Sequence, residues 1–139
     1  MKPKVLFVCV ENSCRSQIAE GFARTLGKDV VDAWSAGSKP SGRISPTGID
    51  LMKEKGIDLG FQLSKGLNDL PQVRWDYVIT MGCGDACPFV PSTRKEDWGI
   101  PDPKNLPLDE FRKIRDQIEN KVKELIYDVQ RTKESILKK

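Results

Sequence analysis

The sequence contains no histidine. That absence removes the Cys–His pair and the Ser–His–Asp triad as catalytic devices, and most zinc sites with them. Aromatic residues are sparse at 7%, and no apolar run approaches the ~20 residues that span a bilayer. The short apolar run at positions 5–10 ends in polar residues without a small-residue cleavage site. No secretory signal is therefore expected, and the chain is placed in the cytoplasm. A strong charge of one sign is also lacking. The formal balance is +3, and the basic residues are scattered among acids instead of forming an aromatic-flanked stripe, which argues against nucleic acid as a partner. No internal repeat, low-complexity tract or linker divides the 139 residues. One monomeric domain over positions 1–139 is expected, large enough for a real core.

What the chain does have is four cysteines, at positions 9, 14, 83 and 87. In a reducing compartment such a set points to metal binding or redox chemistry more than to structural bridges. Without histidine, a reactive cysteine must be activated by other means.

The pattern alternates strands and helices. Residues 4–9 (KVLFVC) form a continuous apolar run rich in β-branched side chains, the signature of a buried parallel strand. Ile18, Ala19, Phe22, Ala23 and Leu26 then recur at helical spacing, with Gly27 at the C-cap. A second strand is read at 30–34 and a helix at 46–55, opened by Pro46 and stopped by Gly56. A short strand is expected near 61–63 and a further one at 77–81 (YVITM). Residues 82–107, rich in Gly, Pro and Asp, read as a long irregular stretch of the kind that usually carries function. A last helix is marked by Phe111, Ile114, Ile118, Val122, Leu125 and Val129, with fraying expected over 131–139. The expected fold class is α/β, a three-layer, Rossmann-like arrangement with a four-stranded parallel sheet flanked by helices. In such sheets ligands bind beyond the carboxyl ends of the strands, where the loops after Cys9 and Met81 both lie.

The first of these loops is the candidate site. Cys9 closes a strand, Val10, Glu11, Asn12, Ser13 and Cys14 intervene, and Arg15-Ser16 opens a helix. A short loop can turn its N–H groups toward a common centre, and the helix N-terminus adds unpaired donors and partial positive charge. Arg15 offers a planar fork suited to two oxygens of a tetrahedral anion. The same positive field favours a Cys9 thiolate without a histidine base, and the hydroxyl of Ser13 or Ser16 is placed to donate to the sulfur. A C-x5-R spacing alone is weak. Between a strand and an amphipathic helix it becomes specific.

Several features occur together in this sequence: the segment VLFVCVENSCRSQIAEGFA, the SAG turn at 35–37, cysteines after YVITM, EDWG before Asp102-Pro103, and FRKIRD opening the last helix. The combination resembles the low-molecular-weight protein tyrosine phosphatase superfamily, and within it the thioredoxin-coupled arsenate reductases. The resemblance implies that Cys9 attacks arsenate, that the loop with Arg15 holds the oxyanion, and that Asp102 protonates the leaving oxygen. It further implies that Cys83 attacks the Cys9–arsenic adduct, and that Cys87 then forms a Cys83–Cys87 disulfide reduced by a thioredoxin-like partner. Thiol exchange supplies both electrons, so no bound cofactor is expected. Cys14 reads as a small buried thiol.

The cysteine spacings fit zinc poorly, and no metal is expected. Some of the family bind potassium through residues matching Asn12, Glu20 and Ser35 plus an aspartate. Here Lys65 stands near that aspartate's position, either as a substitute cation beside Glu20 or as an exposed side chain. The three-residue gap between Cys83 and Cys87 is shorter than in thioredoxin-coupled members, which leaves a glutaredoxin- or mycothiol-type reductant open. The main alternative is a phosphatase acting on aryl phosphates through a Cys9 phosphocysteine. It would need only Cys9, Arg15 and Asp102, with phosphate or sulfate as analogues of arsenate in the loop. A non-enzymatic oxyanion or redox sensor would have no need of Asp102.

Overall fold

The computed structural model of the protein describes residues 2–82 and 90–137, with side chains to residue 132. Four parallel strands form one sheet in the order β2-β1-β3-β4, where β1 is Lys4–Cys9, β2 Asp32–Gly37, β3 Trp75–Thr80 and β4 Ser92–Asp97. The most apolar strand, β1, is paired on both sides and its residues Val5 to Val8 are fully buried. That double burial explains why its sequence shows no polar alternation.

Helices α1 (Arg15–Leu26) and α3 (Leu108–Leu137) pack together over one face, with α2 (Pro46–Lys53) beside α3. Their core joins Val5, Phe7 and Ile79 of the sheet to Ile18 and Phe22 of α1 and Ile118 and Val122 of α3. A second cluster, Leu6, Val8, Ala36, Trp75 and Val78, fills the opposite face, where Leu67 of the 3-10 turn Leu67–Asp69 packs against it. Gly27 does cap α1, but at φ −113° and not in the left-handed form. Its lack of a side chain serves packing, since a Cβ there would lie 2.9 Å from Ile126 Cδ1 of α3.

Four expectations need correction. The strand read at 30–34 lies at Asp32–Gly37, so the SAG residues belong to β2 and are not a turn. No strand forms at 61–63; that segment is held by side-chain bonds to α1, and Phe61 and Leu63 are exposed. The stretch 82–107 is not wholly irregular, because it contains β4. With sequence STRKED, this edge strand shows no apolar pattern because it pairs on one side only and is largely exposed. Its charges suit an open edge that must not recruit other strands, and the Arg94 guanidinium covers the Tyr77 ring at 5.8 Å. Lastly, α3 continues to Leu137 instead of fraying from 131.

The α2–α3 junction is electrostatic. Glu54 Oε2 accepts from Arg112 Nη2 at 2.9 Å and Glu54 Oε1 from Arg115 Nη1 at 2.7 Å. These bonds, that of Arg112 first, hold the Glu54 carboxyl down at about 2 against its usual 4.5. A folded value below the unfolded one stabilises the protein above the unfolded pKa, and this contribution is lost as pH falls through the folded one. Glu54→Gln is therefore expected to narrow the gap in melting temperature between about pH 5 and about pH 3. Melts of both proteins at the two pH values check this, and an unchanged gap would remove Glu54 from the acid response.

Candidate active site

The loop from Cys9 to Cys14 is tied outward at every carbonyl. Cys9 O accepts from Ser38 N (3.2 Å), Val10 O from Lys39 N (2.8 Å) and Glu11 O from Ser41 N (3.0 Å). Asn12 O accepts from Gln17 Nε2 (3.0 Å), Ser13 O from Ser45 N (2.8 Å) and Cys14 O from Ile18 N (2.8 Å). With the carbonyls engaged outside, the N–H groups are left to the inside. Among the described residues, those of Val10, Glu11, Ser13 and Cys14 donate to no protein group. Such a ring of inward amides is an anion cradle. At the mouth of α1 no acidic residue occupies the first turn, so the positive end of the helix is not neutralised there.

Two backbone features permit this shape. Asn12 is fully buried and takes φ +51°, a left-handed conformation that asparagine tolerates better than most residues. At the end of β2, Gly37 lies so close that a Cβ would collide with Val10 O and stand 2.9 Å from Asn12 N. The SAG sequence thus supplies the missing side chain that the loop needs.

Cys9 is buried at 3% exposure and lines the cleft. Its sulfur receives the Asn12 N–H at 3.3 Å and lies 2.8 Å from Ser16 Oγ. Asn12 Nδ2 donates to Ser16 Oγ at 2.9 Å, which leaves the Ser16 hydroxyl proton for the sulfur. Ser13 instead lines the cleft. Arg15 Nη1 donates to Met81 O (2.7 Å) and Ile100 O (2.9 Å), so the guanidinium is anchored by the ends of two other segments. Its Nε and Nη2 groups bond to none of the described residues. The cleft of about 280 Å³ is lined by Cys9, Val10, Glu11, Ser13, Cys14, Arg15, Asp102 and Lys104. It therefore brings the candidate nucleophile, the candidate anion-binding groups and the candidate acid together. Asp102 is exposed, and its Oδ1 accepts from Lys104 N at 3.0 Å.

Cys14 is half-buried and packs against the core. Burial, reinforced by the negative charges of Cys9 and Asp102, pushes its thiol up to about 12 despite Arg15 and a Ser45 hydrogen bond. It is therefore a neutral thiol at ordinary pH. Cys83 and Cys87 lie outside the described residues. No group of three or more metal-binding side chains occurs among the described residues.

Behind the loop, buried Glu20 accepts from Ser35 Oγ (2.5 Å) and Arg24 Nε (2.6 Å), and Lys65 Nζ lies 3.7 Å from its Oε1. Lys65 is thus directed at the carboxylate and not simply solvated. Lys65 N and Gln17 Nε2 both donate to Asn12 Oδ1, at 2.8 and 2.9 Å. Gln17, and Gln62 behind it, are polar residues that sequence reading passed over. A glutamine carries no signal of this kind, since only the fold shows it to be buried.

The family model for low molecular weight phosphotyrosine protein phosphatase matches residues 4–135. A glutaredoxin arsenate reductase of Synechocystis is 43% identical over 126 residues, which cover 88% of this chain and 95% of that protein. The structure of an arsenate reductase in a phosphate-binding state superposes with a TM-score of 0.84 at 42% identity, covering 93% of this chain and 99% of that one. A thioredoxin-dependent arsenate reductase of Corynebacterium glutamicum gives 0.77 at 34% identity, covering 94% of this chain and 63% of that one.

Two predictions follow from the loop and its support. Iodoacetamide at about pH 8 is expected to label Cys9 well before Cys14, whose reaction should grow only as pH approaches its raised value. Mass spectrometry of the peptide holding both cysteines reads the order, and equal labelling would contradict the raised Cys14 thiol. With Lys65 supplying the cation at Glu20, the melting temperature is expected to be the same in matched potassium and sodium. Lys65→Met should lower it, and lower it less in potassium. A rise with potassium in the unsubstituted protein would show that Lys65 does not fill that role.

Proposed function

This chain belongs to the low molecular weight phosphotyrosine protein phosphatase family, and from that membership we propose that it reduces arsenate to arsenite with electrons from a thioredoxin-like protein. The observation that carries the reading is the cleft in which inward amides, Arg15, Cys9 and Asp102 meet. Relatives named as arsenate reductases at 34–43% identity support arsenate as the substrate, and so does the presence of Cys83 and Cys87 after the third strand.

The steps follow from the chemistry. Arsenate lies in the loop, its oxygens taking the free amides and the unoccupied edge of Arg15. The Cys9 thiolate forms an S–As bond, and an oxygen leaves as water with a proton from Asp102. Cys83, as thiolate, then attacks Cys9 Sγ. The S–As bond breaks with its electron pair going to arsenic, which leaves as arsenite, and a Cys9–Cys83 disulfide remains. Cys87 attacks Cys83, releasing Cys9 and forming Cys83–Cys87. The partner dithiol reduces this last bridge, so the two electrons that arsenic gained are restored. Nothing in the cycle calls for a bound cofactor. The working site is the cytoplasm, where reduced thiols are available. The unsubstituted cleft is also expected to hydrolyse aryl phosphates slowly, since phosphate and arsenate share shape and charge.

The test is NADPH consumption on adding arsenate, coupled through thioredoxin and thioredoxin reductase. It is run on the unsubstituted protein, Cys83→Ser and Cys87→Ser, with p-nitrophenyl phosphate hydrolysis in parallel. Either serine variant is expected to abolish coupled reduction while hydrolysis continues. Full arsenate turnover in Cys87→Ser would remove Cys87 from the route, activity with glutathione and glutaredoxin alone would change the reductant, and hydrolysis without reduction would leave a phosphatase.

A further inference from the structure

The geometry points to Gln17, oriented by Gln62, as a positioning residue that sets the hydrogen-bond polarity of the Cys9 sulfur. Both side chains are buried, at 0% and 7% exposure. Gln62 Nε2 donates to Gln17 Oε1 at 2.7 Å and to Gln17 O at 3.1 Å. That contact fixes which way the Gln17 amide faces, because an amide nitrogen in the same place would meet another donor. Gln17 Nε2 is thereby turned toward the loop, where its two protons are shared among Leu63 O (2.8 Å), Asn12 Oδ1 (2.9 Å) and Asn12 O (3.0 Å).

The direction then passes onward. Asn12 Oδ1 is held by the Gln17 amide and by the Lys65 N–H, so Asn12 Nδ2 must face Ser16. Ser16 Oγ accepts from that nitrogen, and its one proton is left for Cys9. Flipping any amide in the row would set donor against donor or acceptor against acceptor and leave a buried polar atom unmatched, at a cost on the order of 1–3 kcal/mol. The order Gln62, Gln17, Asn12, Ser16, Cys9 is therefore a one-way relay of donors ending on the sulfur. Gln17 also grips the Asn12 carbonyl, one of the bonds that keep the left-handed residue in place with its N–H on Cys9.

A bland alternative is that the two glutamines only satisfy buried polar atoms and contribute stability. The readings differ in what reaches the sulfur, which can be measured without any substrate. The proposal rests on Cys9 being the nucleophile of the function proposed above, yet alkylation of Cys9 needs no arsenate.

The experiment follows Cys9 alkylation by iodoacetamide against pH, read at that residue by mass spectrometry, alongside thermal melts. It uses the unsubstituted protein, Gln17→Met, Gln17→Glu and Gln62→Met, with Ser16→Ala setting the scale for losing the final donor. Met keeps the length of Gln without its amide, and a glutamate carboxylate cannot donate. Each glutamine variant is expected to slow alkylation near neutral pH by roughly 3- to 10-fold, the scale of one hydrogen bond. The midpoint of the profile should move to higher pH by about half to one unit. Melting temperatures that fall while rate and midpoint stay at the unsubstituted values would reduce both glutamines to structural roles and overturn the proposal. If Gln17→Met does not fold, Gln62→Met carries the same readout from one step further back. Should the alkylation profiles shift as expected in a protein that reduces no arsenate, the proposed function fails and the relay stands.

Discussion

The whole site depends on one constraint: the loop after β1 can offer its amides to an anion only while its carbonyls are bonded elsewhere. A peptide chain carries donors and acceptors in equal number, and an anion is repelled by the acceptors. Here the six carbonyls from Cys9 to Cys14 find partners in the segment after β2, at the start of α2, in the first turns of α1 and in the Gln17 side chain. The parallel sheet is what makes this possible. It brings the end of β2 alongside the end of β1 in register, with Gly37 opposite Cys9, and Gly37 lets the two backbones touch. A single left-handed residue, Asn12, completes the turn.

That dependence explains what could and could not be read from the sequence. β1, α1 and the stripe of α3 were legible because their burial leaves a direct trace in residue type and spacing. The candidates Cys9, Arg15 and Asp102 could be picked out because cysteine, fork and Asp-Pro stand in a recognisable order, and the structure places all three on one cleft. β4 was not, because an edge strand with both faces largely open has no apolar code and shows only charge. Segment 61–63 misled for the opposite reason. Phe61 and Leu63 alternate about Gln62 as a strand would, but the apolar pair faces outward and the polar residue goes in. The segment is held by side-chain amide hydrogen bonds with Gln17 and not by a ladder. Long-range polar pairing of that kind has no local signature.

Glu20 shows the same logic in charge. A carboxylate buried to 1% exposure would be costly unless paired and hydrogen-bonded. Ser35, Arg24 and Lys65 approach it from β2, from α1 itself and from the segment behind the loop. Because Lys65 also gives its backbone N–H to Asn12, the pairing of Glu20 and the seating of the loop share a residue. The ion pair is partly exposed on the lysine side, so its direct contribution to stability is small. Its larger effect is to fix where segment 61–65 lies, and with it the donors that Asn12 receives.

The two cysteines of the loop show how closely position governs chemistry. Both stand at the N-terminal end of α1, within reach of Arg15, so nearness to positive charge does not by itself separate them. What differs is the neighbours. Cys9 is met by an amide and a hydroxyl whose orientation is fixed by the side chains behind them. Cys14 has a Ser45 hydroxyl, an apolar surround, and the Asp102 carboxylate facing it. Burial dominates there, and the thiol keeps its proton. For the function proposed above this matters, because a second negative charge in the same small loop would repel an incoming oxyanion.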